Sequence, residues 1–251
     1  MPLDLLFAWL MILLRAAALV AVLPSLGAKP FSPTLRVGFA MCLATLLYGI
    51  VPHASLAGAS WGGLAFAAGG EVLIGLAMGF VGRLIFAAIE MGGRIIVTEI
   101  GLVAGPGFDV PTPDQEPLPA YLSMFAGVLF FLLGGHFGVL RAFARSFDFA
   151  AAGAPRFGGD AVELIVRLTA NSVELGVRIA APFIALNFLV ALGFSILGRA
   201  VPRMGVFVLS FPVRVVLGLM MFAGSGALFV RYFWGEFDAL PWRMLQLLPP
   251  R

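Results

Sequence analysis

Long apolar runs with few or no charged residues dominate the sequence and limit the folds open to it. Six such runs lie at 5–26, 35–51, 61–82, 121–140, 179–197 and 206–230. Roughly 20 mostly apolar residues let one helix cross about 30 Å of hydrocarbon. Open strand edges find no hydrogen-bond partners in lipid. The sequence therefore predicts an all-α, polytopic membrane-type protein with about six hydrophobic helices.

The composition excludes an ordinary soluble domain and a nucleic-acid-binding protein. Hydrophobic residues make up 61% of the chain and charged residues 12%, and the mean hydropathy is +1.04. Soluble domains of this size carry about twice that charge. The net charge of +3 comes from arginines spread singly along the chain, whereas a phosphate-binding surface needs a local basic patch. The single cysteine, Cys42, cannot form an intramolecular disulfide.

Two further segments, 84–103 and 160–178, are helical in pattern but amphipathic. We expect them to form hairpin helices beside the apolar ones. If 84–103 crosses the membrane or folds back, most basic residues share one side, which puts the C-terminus in the cytoplasm and the N-terminus outside. Each segment holds Glu–Arg pairs with i,i+4 spacing, in the order that favours an ion pair within a helix: Glu90/Arg94, Glu163/Arg167 and Glu174/Arg178.

The longest interruption of the apolar pattern is 105–119, GPGFDVPTPDQEPLP. It holds five prolines, two glycines and three acidic residues, and neither a helix nor a strand ladder can run through it. We expect this segment to line or close a conduit, with Phe108 and Val110 among the obstructing groups. An exposed extracytoplasmic turn is the alternative.

Ionisable residues inside apolar runs are costly in a membrane unless they are paired. They would belong either to an ion or proton path or to charge pairs between helices, and we favour charge pairs. The residues concerned are Arg15, Glu71, Glu90, Arg94, Glu99 and Arg214.

Glycines four residues apart predict close helix packing. Gly75 and Gly79 are one such pair, and replacing either with leucine should impair assembly more than the same change at Gly153, which lies in a break. The other pairs are Gly101/Gly105 and Gly134/Gly138.

Catalytic and metal-binding patterns are weak. The two histidines, His53 and His136, are far apart in sequence, and no GxSxG or HExxH motif occurs. We therefore predict no enzyme activity, no metal and no cofactor.

Several segments, in order along nearly the whole chain, resemble the FliR family of flagellar type III export proteins. PRMGVFVLSFPVRVVLG at 202–218 is similar to the family's turn and Phe-Pro-basic stretch, although the family usually has Gln and Asn where this chain has Arg203 and Gly205. FLLGGHFGVLRAFARSF at 131–147 is similar to the family's Gly-Gly-His region. Further similarities are Glu71-xxx-Gly75-xxx-Gly79, the N-terminal pattern of Arg15, Pro24 and Arg36, and Ala181-Pro182.

The resemblance implies a single membrane/export-gate domain over 1–251 in the bacterial inner membrane, at the flagellar basal body. Its partners would be FliP-like and FliQ-like subunits, FlhA-like and FlhB-like export proteins, and unfolded export substrates. The resemblance also places a pore plug at the proline-rich segment, in residues Gly105, Pro106, Gly107, Phe108, Asp109, Val110, Pro111, Pro113 and Asp114. Residues predicted at helix-packing interfaces are Arg15, Glu71, Gly75, Gly79, Arg94, Phe211, Pro212 and Arg214.

Two alternatives stay open at this point. One is the equivalent gate subunit of a virulence type III secretion system. The other is a small-solute secondary transporter, which should show broken helices at matching places in two halves. The sequence shows one long break and no second one to match it.

Overall fold

Regular structure is helical throughout the residues that the computed structural model describes, which are 2–23, 32–54, 60–102, 117–200 and 206–249. Outside helices, the pairing of extended backbone within these ranges is one isolated parallel bridge between His53 and Ala152. The prediction of an all-α, polytopic helical protein is confirmed. The helices are α1 (Pro2–Val22), α2 (Pro33–Leu47), α3 (Trp61–Ile100), α4 (Pro117–Leu132), α5 (Gly135–Phe149), α6 (Ala161–Ala200), α7 (Val206–Gly224) and α8 (Gly226–Leu245).

Helices α3 and α6 each run for 40 residues without a break. The predictions of separate helices at 61–82 and 84–103, and at 160–178 and 179–197, are therefore wrong. The exposed face changes from apolar to charged along α3 and from charged to apolar along α6, but Arg and Glu are good helix formers and do not end a helix. Segment 84–103 therefore does not fold back on 61–82, and the membrane orientation stays a prediction.

Two predicted helices are instead interrupted. The run 121–140 divides into α4 and α5 at Gly134, whose φ of +72° lies in the left-handed region that glycine enters without steric cost. The run 206–230 divides into α7 and α8 at Ser225, whose Oγ donates a hydrogen bond to the Phe222 carbonyl oxygen at 2.8 Å. Helix α8 then continues to Leu245, beyond the predicted end.

Within the described ranges, three helices are long and apolar enough to cross a membrane: α1 (over Asp4–Val22), α3 and α6. The number rises to five if each of the interrupted pairs, α4–α5 and α7–α8, is taken as one span. The predicted span at 35–51 corresponds to α2, which has 15 residues. At 1.5 Å per residue α2 is about 22 Å long, shorter than the hydrocarbon layer.

The helices form two compact units. Unit 1 comprises Met1–Phe86, Phe130–Ala170 and Gly235–Arg251, and unit 2 comprises Ala87–Leu129 and Asn171–Trp234. The assignment of 1–251 to one functional domain stays a prediction.

Each unit has its own apolar core, with phenylalanine prominent in both. In unit 1 the Phe130 ring lies 5.9 Å from Phe86 and 5.2 Å from Phe237, centroid to centroid. In unit 2 neighbouring rings lie 5.7 to 6.4 Å apart along the series Phe183, Phe222, Phe229, Phe233 and Phe125. Phe183, Phe229 and Phe233 are buried, so these rings fill a core.

Proline at position 83 distinguishes a continuous α3 from two helices joined by a turn. Arg83→Pro should destabilise the protein by about 3 kcal/mol, because proline removes a hydrogen bond and clashes with the preceding turn. Arg83→Ala, the control at this exposed position, should change stability by less than about 0.5 kcal/mol. The measurement is thermal unfolding of the purified full-length chain in detergent. Equal stability of the two variants would indicate a turn at 82–84.

Candidate functional site

A fully buried arginine in the middle of α1 is the most constrained charged group in the described chain. Arg15 is 0% exposed. Its Nε donates to Oε2 of Glu71 on α3 at 2.6 Å, its Nη1 to Oγ of Ser146 on α5 at 2.9 Å, and its Nη2 to the Ala150 carbonyl oxygen at 2.9 Å. All three guanidinium nitrogens have a partner. The prediction of charge pairs between helices is confirmed for Arg15 and Glu71.

Glu71 uses its second oxygen to hold the turn that follows α5. Its Oε1 accepts a hydrogen bond from the Gly153 N–H at 2.8 Å, and Gly153 has a φ of +85°. Next to it, the Ala152 N–H donates to the Pro52 carbonyl oxygen at 3.1 Å, and the Ala54 N–H donates to the Ala152 carbonyl oxygen at 2.8 Å. The carboxylate therefore fixes a turn that is itself joined to the segment before α3.

Helix α5 supplies a matched surface for the guanidinium. Arg15 Cζ lies 4.0 Å above the centroid of the Phe147 ring, which adds a cation–π contact. Ser146 Oγ, besides accepting from Arg15, donates to the Phe143 carbonyl oxygen at 2.7 Å. Phe143, Ser146 and Phe147 lie three or four residues apart and so share one face of the helix, and Ala150 follows as its C-terminal cap.

We call Arg15, Glu71, Ser146, Ala150 and Gly153 the Arg15 clamp. A buried ion pair repays its desolvation only when its geometry is good and its remaining donors and acceptors are satisfied. The clamp meets this condition through four hydrogen bonds of 2.6 to 2.9 Å that join α1, α3, α5 and the 150–153 turn. The clamp therefore has a structural role, which is to hold these elements of unit 1 together.

Glycines let α1 approach α3 closely beside the clamp. A Cβ at Gly75 would lie 2.3 Å from the Arg15 carbonyl oxygen and 2.8 Å from Ala18 Cβ. A Cβ at Gly79 would lie 2.9 Å from both the Leu19 carbonyl oxygen and Val22 Cβ. The predicted close packing at this glycine pair is confirmed, and Glu71, Gly75 and Gly79 act on the same crossing.

Gly153 is a poor comparison for these glycines, contrary to the sequence-based expectation. Its positive φ disfavours any side chain, and its N–H belongs to the clamp. Leucine there would disturb unit 1 as well.

The other predicted interface residues lie in unit 2. Arg94 is exposed and pairs with Glu90 on its own helix at 3.1 Å. Phe211 packs near Gly101, where a Cβ would lie 3.4 Å from its ring. Pro212 lies inside α7 and is exposed. Arg214 is half-buried. The residues predicted as a pore plug, Gly105 to Asp114, lie outside the described residues.

Sequence reasoning missed Ser146, Ala150 and Gly153. Two of them act through backbone atoms, which leave no mark on side-chain patterns. Among the described residues, no three His, Cys, Asp or Glu side chains converge on a metal-binding geometry.

Breaking one side of the clamp should be worse than removing both charges. Glu71→Leu leaves Arg15 buried without a counter-ion, which should cost about 3–5 kcal/mol. The Arg15→Met/Glu71→Leu double variant should be more stable than Glu71→Leu. As a control, Glu90→Leu removes one partner of an ion pair whose side chains are 52% exposed and should cost at most about 1 kcal/mol. Thermal unfolding in detergent compares the three variants with the unaltered chain, and a double variant no better than Glu71→Leu would argue against the clamp.

Gly75→Leu and Gly79→Leu should sharply lower the yield of folded protein, because each side chain would meet the backbone of α1. Gly69→Leu is the matched control on α3, since no atom lies within 4 Å of a Cβ there. Size-exclusion chromatography of the purified chain gives the readout. Similar monodisperse yields from all three variants would contradict the close crossing.

Known proteins are similar to this chain over most of its length. Residues 6–240 match the family described as bacterial export proteins, family 1. The flagellar biosynthetic protein FliR of Bacillus subtilis is 27% identical over 224 residues, which cover 87% of this chain and 85% of the relative. FliR of Escherichia coli is 26% identical, covering 84% and 81%. The Yop proteins translocation protein T of Yersinia pestis is 25% identical, covering 86% and 84%.

The family match includes every clamp residue and both long helices, and the relatives named FliR agree with the resemblance in the sequence. The chain belongs to the bacterial export proteins, family 1.

Proposed function

We propose that this chain is a structural subunit of the flagellar type III protein export gate. It assembles with FliP-like and FliQ-like subunits in the bacterial inner membrane into a pore for unfolded flagellar subunits, beside FlhA-like and FlhB-like proteins. The observation that carries the proposal is the coincidence of motif and geometry at the α1–α3 crossing. Four residues that carry part of the resemblance come together at this crossing: Arg15, Glu71, Gly75 and Gly79.

The uncovered apolar surface of unit 2 supports a role within an assembly. On the second half of α6, Phe188 is 65% exposed, Leu189 63% and Ile196 63%. An exposed apolar surface of this kind marks contact with protein or membrane. In an export gate, this apolar surface of α6 would be buried against lipid or against neighbouring subunits.

The equivalent subunit of a virulence type III secretion system is the nearest alternative. The similarity to the Yersinia translocation protein covers as much of this chain as the similarity to the FliR proteins. The flagellar assignment rests on the larger number of relatives that carry the FliR name.

One observation favours a small-solute transporter. Each 40-residue helix is followed by an interrupted pair, α4–α5 after α3 and α7–α8 after α6. The expectation that the chain has no second matching break is therefore wrong. However, phenylalanine rings lie at both breaks. Phe131 and Phe137 pack against His136 at the first break, and Phe222 packs against Phe229 at the second, whereas transporter breaks bind polar substrate groups and ions.

Co-purification and secretion together test the proposed gate role. A tagged chain, solubilised in mild detergent from its own bacterium, should bring FliP-like and FliQ-like proteins with it. Deleting its gene should abolish secretion of hook and filament subunits, and restoring the gene should recover it. Recovery as a solitary protein that moves a solute in vesicles would support the transporter, and loss of virulence-type secretion alone would support the other export system.

The plug assignment of Gly105 to Asp114 stays a prediction with its own test. Removing 108–114 should make cells leaky to ions and small molecules while the complex still assembles, because the obstructing side chains are lost. Membrane potential dyes and co-purification give the two readouts. Normal assembly with unchanged permeability would identify an exposed turn.

A further inference from the structure

The second half of α6, in unit 2, exposes an apolar stripe. Ile184, Phe188, Leu192 and Ile196 recur every four residues and so lie along one side of the helix, and they are 37 to 65% exposed. We call these four residues the α6 stripe. Lipid tails and another protein both bury apolar side chains, so the stripe by itself does not identify what covers it.

A half-buried carboxylate lies at the edge of the α6 stripe. Glu99, near the end of α3, is half-buried, and its Oε2 accepts a hydrogen bond from Asn187 Nδ2 at 2.6 Å. Asn187 directly precedes Phe188 and lies one helical turn from Ile184. A carboxylate accepts at both oxygens, and within the described chain Oε1 has no donor. One oxygen of Glu99 is therefore left for a group outside the described chain.

Glu99 also lacks a counter-ion, unlike two other glutamates of α3. Glu71 pairs with Arg15 and Glu90 pairs with Arg94, whereas Glu99 has only the neutral amide of Asn187. Hydrocarbon supplies neither a donor nor a positive charge, so a carboxylate against lipid tails is costly. A lysine or arginine supplies both, and its apolar stem packs against apolar neighbours. The carboxylate thus favours a protein over lipid as the covering of the stripe.

We propose that the α6 stripe and Glu99 together bind another protein subunit, through an apolar helix that carries a lysine or arginine at the level of Glu99. The apolar side chains supply most of the contact area, and the ion pair fixes the register of the bound helix. Asn187 is a positioning residue, because it holds one carboxylate oxygen and leaves the other for the cation. The identity of this subunit as another part of the export gate rests on the proposed function, whereas the surface and its preference for a cation do not.

Photo-cross-linking in the intact bacterium identifies what covers the stripe. A photoreactive phenylalanine analogue replaces Phe188 in the full-length chain. In the control it replaces Val162, which is 75% exposed on the first half of α6. Position 188 should give an adduct with a second protein, in a segment that contains a lysine or arginine, and position 162 should give several-fold less of it. Adducts with lipid alone, or with a segment that has no basic residue, would overturn the proposal.

Removing the charge of Glu99 should affect the solitary chain and the assembly differently. Glu99→Gln keeps an oxygen for Asn187 but removes an unpaired charge, so the purified chain should resist heating in detergent at least as well as the unaltered chain. The adduct from position 188 should nevertheless fall several-fold, because the cation of the bound subunit loses its counter-ion. Glu90→Gln is the matched control, since Glu90 pairs within its own helix, and it should leave the adduct unchanged.

A double reversal completes the charge test. Glu99→Lys should abolish the adduct, and glutamate in place of the basic residue of the bound subunit should restore it. An adduct insensitive to Glu99→Gln, or a double reversal without recovery, would show that the ion pair is wrong.

Failure of this inference is distinguishable from failure of the export role. Co-purification of FliP-like and FliQ-like proteins with the unaltered chain reports on the export role, whatever covers the stripe. Co-purification together with only lipid adducts at position 188 would overturn the inference and leave the export role standing. A charge-dependent adduct with a subunit of some other assembly would support the inference and contradict the export role.

Discussion

The buried contact between Arg15 and Glu71 is the interaction on which the rest of unit 1 depends. Two opposite charges in an apolar interior are tolerated because every guanidinium nitrogen and both carboxylate oxygens have a hydrogen-bond partner. The partners come from three helices and one turn, so a single network sets their positions together. The glycines of α3 contribute by admitting the backbone of α1, which brings Arg15 within reach of Glu71.

The long helices show how one element can serve two environments. Along α3 the exposed positions are apolar as far as Phe80, and they become polar at Arg83, Glu90, Arg94 and Thr98. The stretch from Trp61 to Phe80 is about 30 Å long, near the thickness of a hydrocarbon layer. The charged stretch suits water or a protein partner better than lipid. A helix of this kind suits a subunit that is only partly covered by membrane.

The sequence predicted local features well and distant ones poorly. The i,i+4 pairs Glu90/Arg94, Glu163/Arg167 and Glu174/Arg178 form as expected, because helix geometry alone places them together. For the Arg15 clamp, the sequence predicted a charge pair between helices but not which residues would pair. Arg15 and Glu71 are 56 positions apart, and no local sequence pattern identifies the partner of a buried charge. Helix ends were misjudged where hydropathy and helix propensity disagree. Arg83 lowers the local hydropathy of α3 without lowering its helix propensity. Gly134, in contrast, interrupts an apolar run through its backbone conformation.

The central claim is that the hydrogen bonds of the Arg15 clamp hold unit 1 together. Hydrogen–deuterium exchange at the Gly153 amide tests it most directly, because this N–H belongs to the clamp and no residue has to be changed to observe it. The account predicts that the amide is protected as strongly as the buried amides of α1 and α3, since opening it requires the whole unit to open. In Glu71→Gln the same amide should exchange faster, together with those of 150–153. Rapid exchange at Gly153 in the unaltered protein, with α1 and α3 still protected, would contradict the account.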